Sequence, residues 1–90
     1  MIKVFQLNGY EWWAGEDFES CVARAMADEG LEREDLLDGE EHELTETEMG
    51  KLIFHDEGDE APSCRTFARE LARTIDRGAT FPCFFATTEY

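Results

Sequence analysis

The groups in this 90-residue chain that could do chemistry are two histidines, three cysteines and 22 carboxylates. His55 stands beside Asp56 and close to Asp59, a set that could hold a cation weakly. The run from Asp56 to Glu60 leaves the calcium-loop pattern after its first residue, and neither His42 nor His55 has the spacing of an established metal site. A thiolate nucleophile needs a base beside it, and nothing local places a histidine near Cys21, Cys64 or Cys83. The carboxylates are too numerous for any two to stand out as a general acid–base pair. No GxGxxG, P-loop, GxSxG or HExxH motif occurs. These residues therefore assign no catalytic, cofactor or metal site, and a non-enzymatic function is expected.

Charge is the stronger signal. The 22 acidic residues face only eight basic ones, a formal net charge of −14. Such a balance opposes direct binding to nucleic acid or to an anionic membrane, and favours a basic partner. It also serves solubility alone. The excess is concentrated between Asp28 and Glu48, where eleven acidic residues surround Arg33 and the segment sums to −10. Duplex DNA carries one charge per about 1.7 Å of its axis. Glu32, Glu34, Asp35, Asp38, Glu40, Glu41 and Glu43, with Asp56, Glu57, Asp59 and Glu60, offer carboxylates at comparable density and form the candidate partner-binding set. Four of the eight basic residues, Arg65, Arg69, Arg73 and Arg77, fall four apart. On a helix they make one stripe, read either as a solvated face paired with carboxylates or as a phosphate-binding strip.

The elements that must position these groups are legible as periodicities. Ile2 to Leu7 alternates, Asn8-Gly9 signals a two-residue type I′ turn, and Tyr10 to Ala14 returns. That turn pairs Leu7 with Tyr10, Gln6 with Glu11, Phe5 with Trp12 and Val4 with Trp13, so that Phe5, Leu7, Tyr10 and Trp12 share the core face. Trp13, with Ile2 and Val4, then lies on the second face, either covered by a loop or tail or exposed as an aromatic anchor. Glu16 to Glu29 reads as a helix with the stripe Phe18, Cys21, Val22, Ala25 and Met26, closed by Gly30. The interspersed Leu31, Leu36, Leu37 and Leu44 should dock the acidic segment on the core, and Thr45 with Glu48 forms a capping box. Leu52 to His55 is a short strand candidate, followed by an acidic loop.

A second helix is expected from Ser63, as N-cap, to Gly78, with Cys64, Phe67, Ala68, Leu71, Ala72 and Ile75 in one arc. Phe81 to Thr88 reads as a final strand with two apolar faces, hence central or covered twice. The expectation is α+β: a single domain over residues 1–90, with a sheet of about four strands. The N-terminal hairpin and two further strands make the sheet, and two amphipathic helices pack on one face. A parallel crossover between the last two strands should be right-handed. The three cysteines are odd in number and lack a CxxC pair, which suits buried reduced thiols. No apolar run is long enough to span a bilayer and MIKVFQL lacks a secretory n-region, so a cytoplasmic location is expected.

YEWWAGEDFESCVARAMADEG and the closing FPCFFATTEY resemble small uncharacterised proteins of phages and of prophage regions in bacterial genomes. The resemblance covers most of the chain and gives no residue a role. It implies a context, the cytoplasm of a phage host, where short acidic inhibitors such as anti-CRISPR proteins act on nucleic-acid machinery. The expected function is thus to bind and inhibit a basic host protein or nucleoprotein complex, as a mimic of nucleic acid. The alternative is a non-enzymatic interaction module, or a homodimer joined through Ile2, Val4, Trp13 and one aromatic of the last strand. Crowded carboxylates should also raise some pKa values, unless the arginine stripe lies against them.

Overall fold

The computed structural model describes residues 1–39, 41–56 and 63–87. Strand β1 (Lys3–Gln6) pairs antiparallel with β2 (Glu11–Gly15), as the alternation predicts, but one register step away from the predicted pairing. Phe5 faces Trp13 and Gln6 faces Trp12. A type I′ turn needs positive φ at both central residues. Neither Asn8 nor Gly9 has it. The connection instead spans Asn8, Gly9 and Tyr10, closed by the Leu7 N–H donating to the Glu11 carbonyl at 3.1 Å. Asn8 Oδ1 accepts from the Tyr10 N–H at 2.8 Å, and Asn8 Nδ2 donates to the Leu36 carbonyl at 2.9 Å. The Gly9 N–H donates to Asp38 Oδ2 at 2.8 Å. Bonds to residues nearly thirty positions away thus override the local turn preference, and the slip exchanges the two tryptophans between faces.

Helix α1 (Phe18–Glu29) starts at Asp17, whose carboxylate accepts the Ser20 N–H at 2.7 Å. It ends at Gly30, φ 68°, as expected of a left-handed cap. Its stripe packs as predicted: Cys21, Val22 and Ala25 are buried against Phe5, Leu7 and Trp13, with Phe18 and Met26 at the margin. Helix α2 (Arg33–Leu36) adds Leu36 to this core. Trp13 therefore belongs to the core and Tyr10 is exposed, the reverse of their predicted places.

The hairpin's other neighbours are β3 (His42–Glu43), antiparallel to β1, and β6 (Cys83–Thr87), antiparallel to β2. The four-stranded order is β3-β1-β2-β6. The fourth strand is thus His42–Glu43, inside the acidic segment, and not residues 52–55. Two polar residues carry no alternation to read. They are held because the next residue, Leu44, is buried and its N–H donates to the Val4 carbonyl at 2.9 Å. Strand β6 occupies an edge rather than the centre and pairs antiparallel, so no parallel crossover forms. A bulge between Trp12 and Trp13 sets Phe84 beside Trp13, ring centroids 5.7 Å apart.

The chain gathers into two compact units, Met1–Leu44 with Thr80–Tyr90, and Thr45–Ala79. The second contains α3 (Glu46–Lys51), β4 (Ile53–Asp56), β5 (Ser63–Thr66) and α4 (Phe67–Asp76). The capping box is present: Glu48 N–H donates to Thr45 Oγ1, and Thr45 N–H to Glu48 Oε1. Strand β4 pairs antiparallel with β5 in a sheet of two. Ser63–Thr66 is therefore strand, not helix, and Thr66 is the N-cap of α4. Helix α4 buries Phe67, Glu70 and Thr74, and leaves Ala68, Ala72 and Ile75 exposed. This differs from the predicted apolar arc because two polar residues on the buried face have partners. Glu70 receives Arg65 Nε at 2.5 Å, and Thr74 Oγ1 donates to the Glu70 carbonyl. Gly78, φ 79°, closes the helix with paired bonds from Gly78 N–H to Ile75 and from Ala79 N–H to Thr74. The fold is α+β. No helix among the described residues is long and apolar enough to cross a membrane.

Candidate functional site

The acidic segment is ordered by its leucines and presents its carboxylates outward. Leu36 and Leu44 are buried and Leu37 is half-buried, whereas Glu32, Glu34, Asp35, Asp38 and Glu43 are exposed. Several carboxylates hold the segment itself. Asp38 accepts the Gly9 N–H, Glu41 accepts the Gly39 N–H at 2.8 Å, and Glu43 meets Lys3 Nζ at 3.3 Å. Arg33 turns away from its acidic neighbours and forms two bonds with Glu19, at 2.7 and 2.9 Å, while its guanidinium lies 5.9 Å from the Phe18 ring centre. That fork holds the Glu19 carboxyl below its ordinary range and raises Arg33. Arg24 is likewise taken up by Asp28 at 3.0 Å. Glu32, Glu34 and Asp35 make no side-chain hydrogen bond or ion pair with another described residue. They are the open part of the face.

The first unit thus brings together Glu32, Glu34, Asp35, Asp38, Glu41 and Glu43 from the candidate set. Asp56 ends β4 in the second unit. Glu40, Glu57, Asp59 and Glu60 lie outside the described residues. Trp13 is 3% exposed, so it is no surface anchor. Val4 is 1% exposed, which closes the patch proposed for a homodimer.

One carboxylate pair emerges that the sequence did not single out. Glu11 Oε1 accepts from Trp13 Nε1 at 3.1 Å, and Glu11 also hydrogen-bonds Glu29 at the end of α1. Burial, the Glu11 bond and charge, and Asp28 together push Glu29 up to about 7. The strand period sets Glu11 and Trp13 on one face at i, i+2, and the observed register turns that face to the core and α1. Counting residues between Glu11 and Glu29 carries no such signal.

The other reactive groups do not assemble. Cys21 is fully buried, and desolvation, aided by the charges of Asp17 and Cys83, pushes its thiol up to about 12. A thiol so held is a poor nucleophile. Neither Cys21 nor Cys83 is joined in a disulfide. Among the described residues no group of three histidine, cysteine or acidic side chains could hold a metal ion. The arginine stripe is broken, because Arg65 sits on β5 with Glu70 and 5.2 Å from the Phe54 ring centre. Arg69, Arg73 and Arg77 remain exposed on or just beyond α4.

No protein-family model, curated protein or solved structure matches this chain.

Proposed function

We propose that the chain binds a basic, nucleic-acid-binding protein through the acidic face of residues 32–43 and competes there with nucleic acid. The observation that carries this reading is the partnering pattern. The one arginine within that stretch is spent on Glu19, leaving Glu32, Glu34 and Asp35 exposed. A face kept for a basic groove is left open in just this way, and attraction to such a groove is long-ranged, fast and salt-sensitive. The resemblance to small phage proteins supplies a fitting context, an inhibitor acting in a host cell.

The test is capture from bacterial lysate at about 50 and 300 mM salt, followed by displacement of labelled DNA or RNA from the protein recovered. The parent should retain a nucleic-acid-binding protein at low salt only and displace its nucleic acid. The triple variant Glu32→Gln, Glu34→Gln, Asp35→Asn should lose both. Capture indifferent to salt, or equal capture by the variant, contradicts the proposal.

A further inference from the structure

A cavity of about 380 Å³ in the first unit is lined by Ile2, Glu16, Ser20, Phe81 and Pro82. Its walls are not loosely placed. A Cβ added at Gly15 would meet Cys21 Sγ at 2.7 Å and Pro82 Cβ at 3.1 Å, so Pro82 and the Cys21 side chain of α1 both lie tight against the end of β2. Three acidic residues stand at the start of α1, and two are committed. Asp17 caps the Ser20 N–H, and Glu19 holds Arg33. Glu16 is exposed, has no hydrogen bond or ion pair with another described residue, and lines the cavity. Among the described residues the lining therefore combines one uncommitted carboxylate and one hydroxyl with an aromatic ring and two aliphatic surfaces.

We propose that this cavity receives a single arginine side chain of the basic partner. The inference rests on the acidic-face reading above and names a specific anchor for it. The guanidinium is held by the Glu16 carboxylate and the Ser20 hydroxyl, the stem lies along Ile2 and Pro82, and the Phe81 ring offers a face for stacking. A guanidinium suits this lining better than an ammonium does. It is planar, less strongly hydrated, able to fork onto a carboxylate, and it stacks on rings. Anions are disfavoured by a unit in which fourteen acidic residues face three basic ones, a formal −11. A divalent cation needs about six oxygen ligands, and the side chains of the described lining supply one carboxylate and one hydroxyl. The volume is at the lower end of ligand pockets, which run from about 300 to 1,000 Å³, and accommodates a side chain rather than a folded element.

The test is a proton–nitrogen NMR titration of the intact protein with N-acetyl-arginine methylamide. The matched lysine and norleucine derivatives are compared at fixed ionic strength. The expected result is saturable shifts at Glu16, Ser20 and Phe81, weaker binding of the lysine compound, and none of the norleucine compound. Glu16→Gln should weaken arginine binding about tenfold without altering the rest of the spectrum, and Asp76→Asn, at an exposed carboxylate on α4, should leave it unchanged. Phe81→Leu keeps the apolar wall but removes the ring, and should weaken binding several-fold. Shifts spread over residues 32–43, equal losses in Glu16→Gln and Asp76→Asn, equal binding of norleucine, or no saturation would each overturn the proposal. Because the probe contains no partner protein, arginine binding that survives a failed capture experiment separates this cavity from the docking reading.

Discussion

The two units of this chain handle charge in opposite ways. In the first, a formal −11 is spread over fourteen acidic and three basic residues, so its three cations cannot neutralise the surface. Its core is apolar and its carboxylates face outward. The second has eight acidic against five basic residues, a formal −3. It can afford to bury an ion pair, and Arg65–Glu70 is only 10% and 5% exposed on its two side chains. The comparison shows why one helix obeyed its apolar periodicity and the other did not. Helix α1 has only hydrophobic residues to bury, whereas α4 can bury Glu70 and Thr74 because each has a partner.

The largest expected effect lies in the second unit. Glu70→Ala removes the buried carboxylate that faces the nearly buried Arg65 guanidinium, which costs about 3–5 kcal/mol. Urea melts followed by circular dichroism should show this loss, and a cost below about 1 kcal/mol would mean that the pair is solvated. In the first unit, Leu7→Ala opens a cavity in a fully buried position and should cost about 2–5 kcal/mol. By contrast Ile75→Ala, at a residue 46% exposed on α4, should change stability little, within about 1 kcal/mol. If Ile75→Ala rivals Leu7→Ala, the apolar arc of α4 is buried after all. Thr45→Ala removes half of the capping box and should cost about 1 kcal/mol.

These contrasts also show which features were legible in the sequence. The α1 stripe, the Gly30 and Gly78 caps and the Thr45–Glu48 box depend on residues within a few positions of one another, and all were readable. The hairpin register was not, because it is decided by the bonds of Asn8 to Leu36 and of Gly9 to Asp38. The strand Ser63–Thr66 reads as helix in the sequence because Ser63 suits an N-cap and Cys64 continues the apolar arc of α4, and only the pairing with β4 reveals otherwise. The acidic face was visible as a count of carboxylates. Which of them stay open depends on where Arg33, Lys3 and Arg24 reach, and that is a matter of tertiary structure.

A smaller effect is expected from pH. Glu29 is raised to about 7 in the fold from an ordinary value of 4.5. Its ionisation therefore opposes folding: the stability it contributes is complete below about 4.5 and is lost as pH rises through about 7. Asp17 and Glu19 are lowered, the first by its cap bonds to Ser20 and the second by Arg33, so their contribution is present at neutral pH and lost on strong acidification. Stability should rise from pH 8 to about 5 and then fall. Glu29→Gln should flatten the upper limb, and an unchanged slope in that variant would remove Glu29 as its cause.

The central claim, that the acidic face of the first unit is not neutralised from within, is open to one direct measurement. Both tryptophans of the chain, Trp12 and Trp13, lie on β2, so their fluorescence reports unfolding of the first unit alone. Denaturant midpoints from that signal should rise as salt is added from low to moderate concentration, because screening relieves repulsion among the open carboxylates. A midpoint that falls with salt would show that attraction to its own cations already holds the face, and the case for a face reserved for a basic partner would be lost.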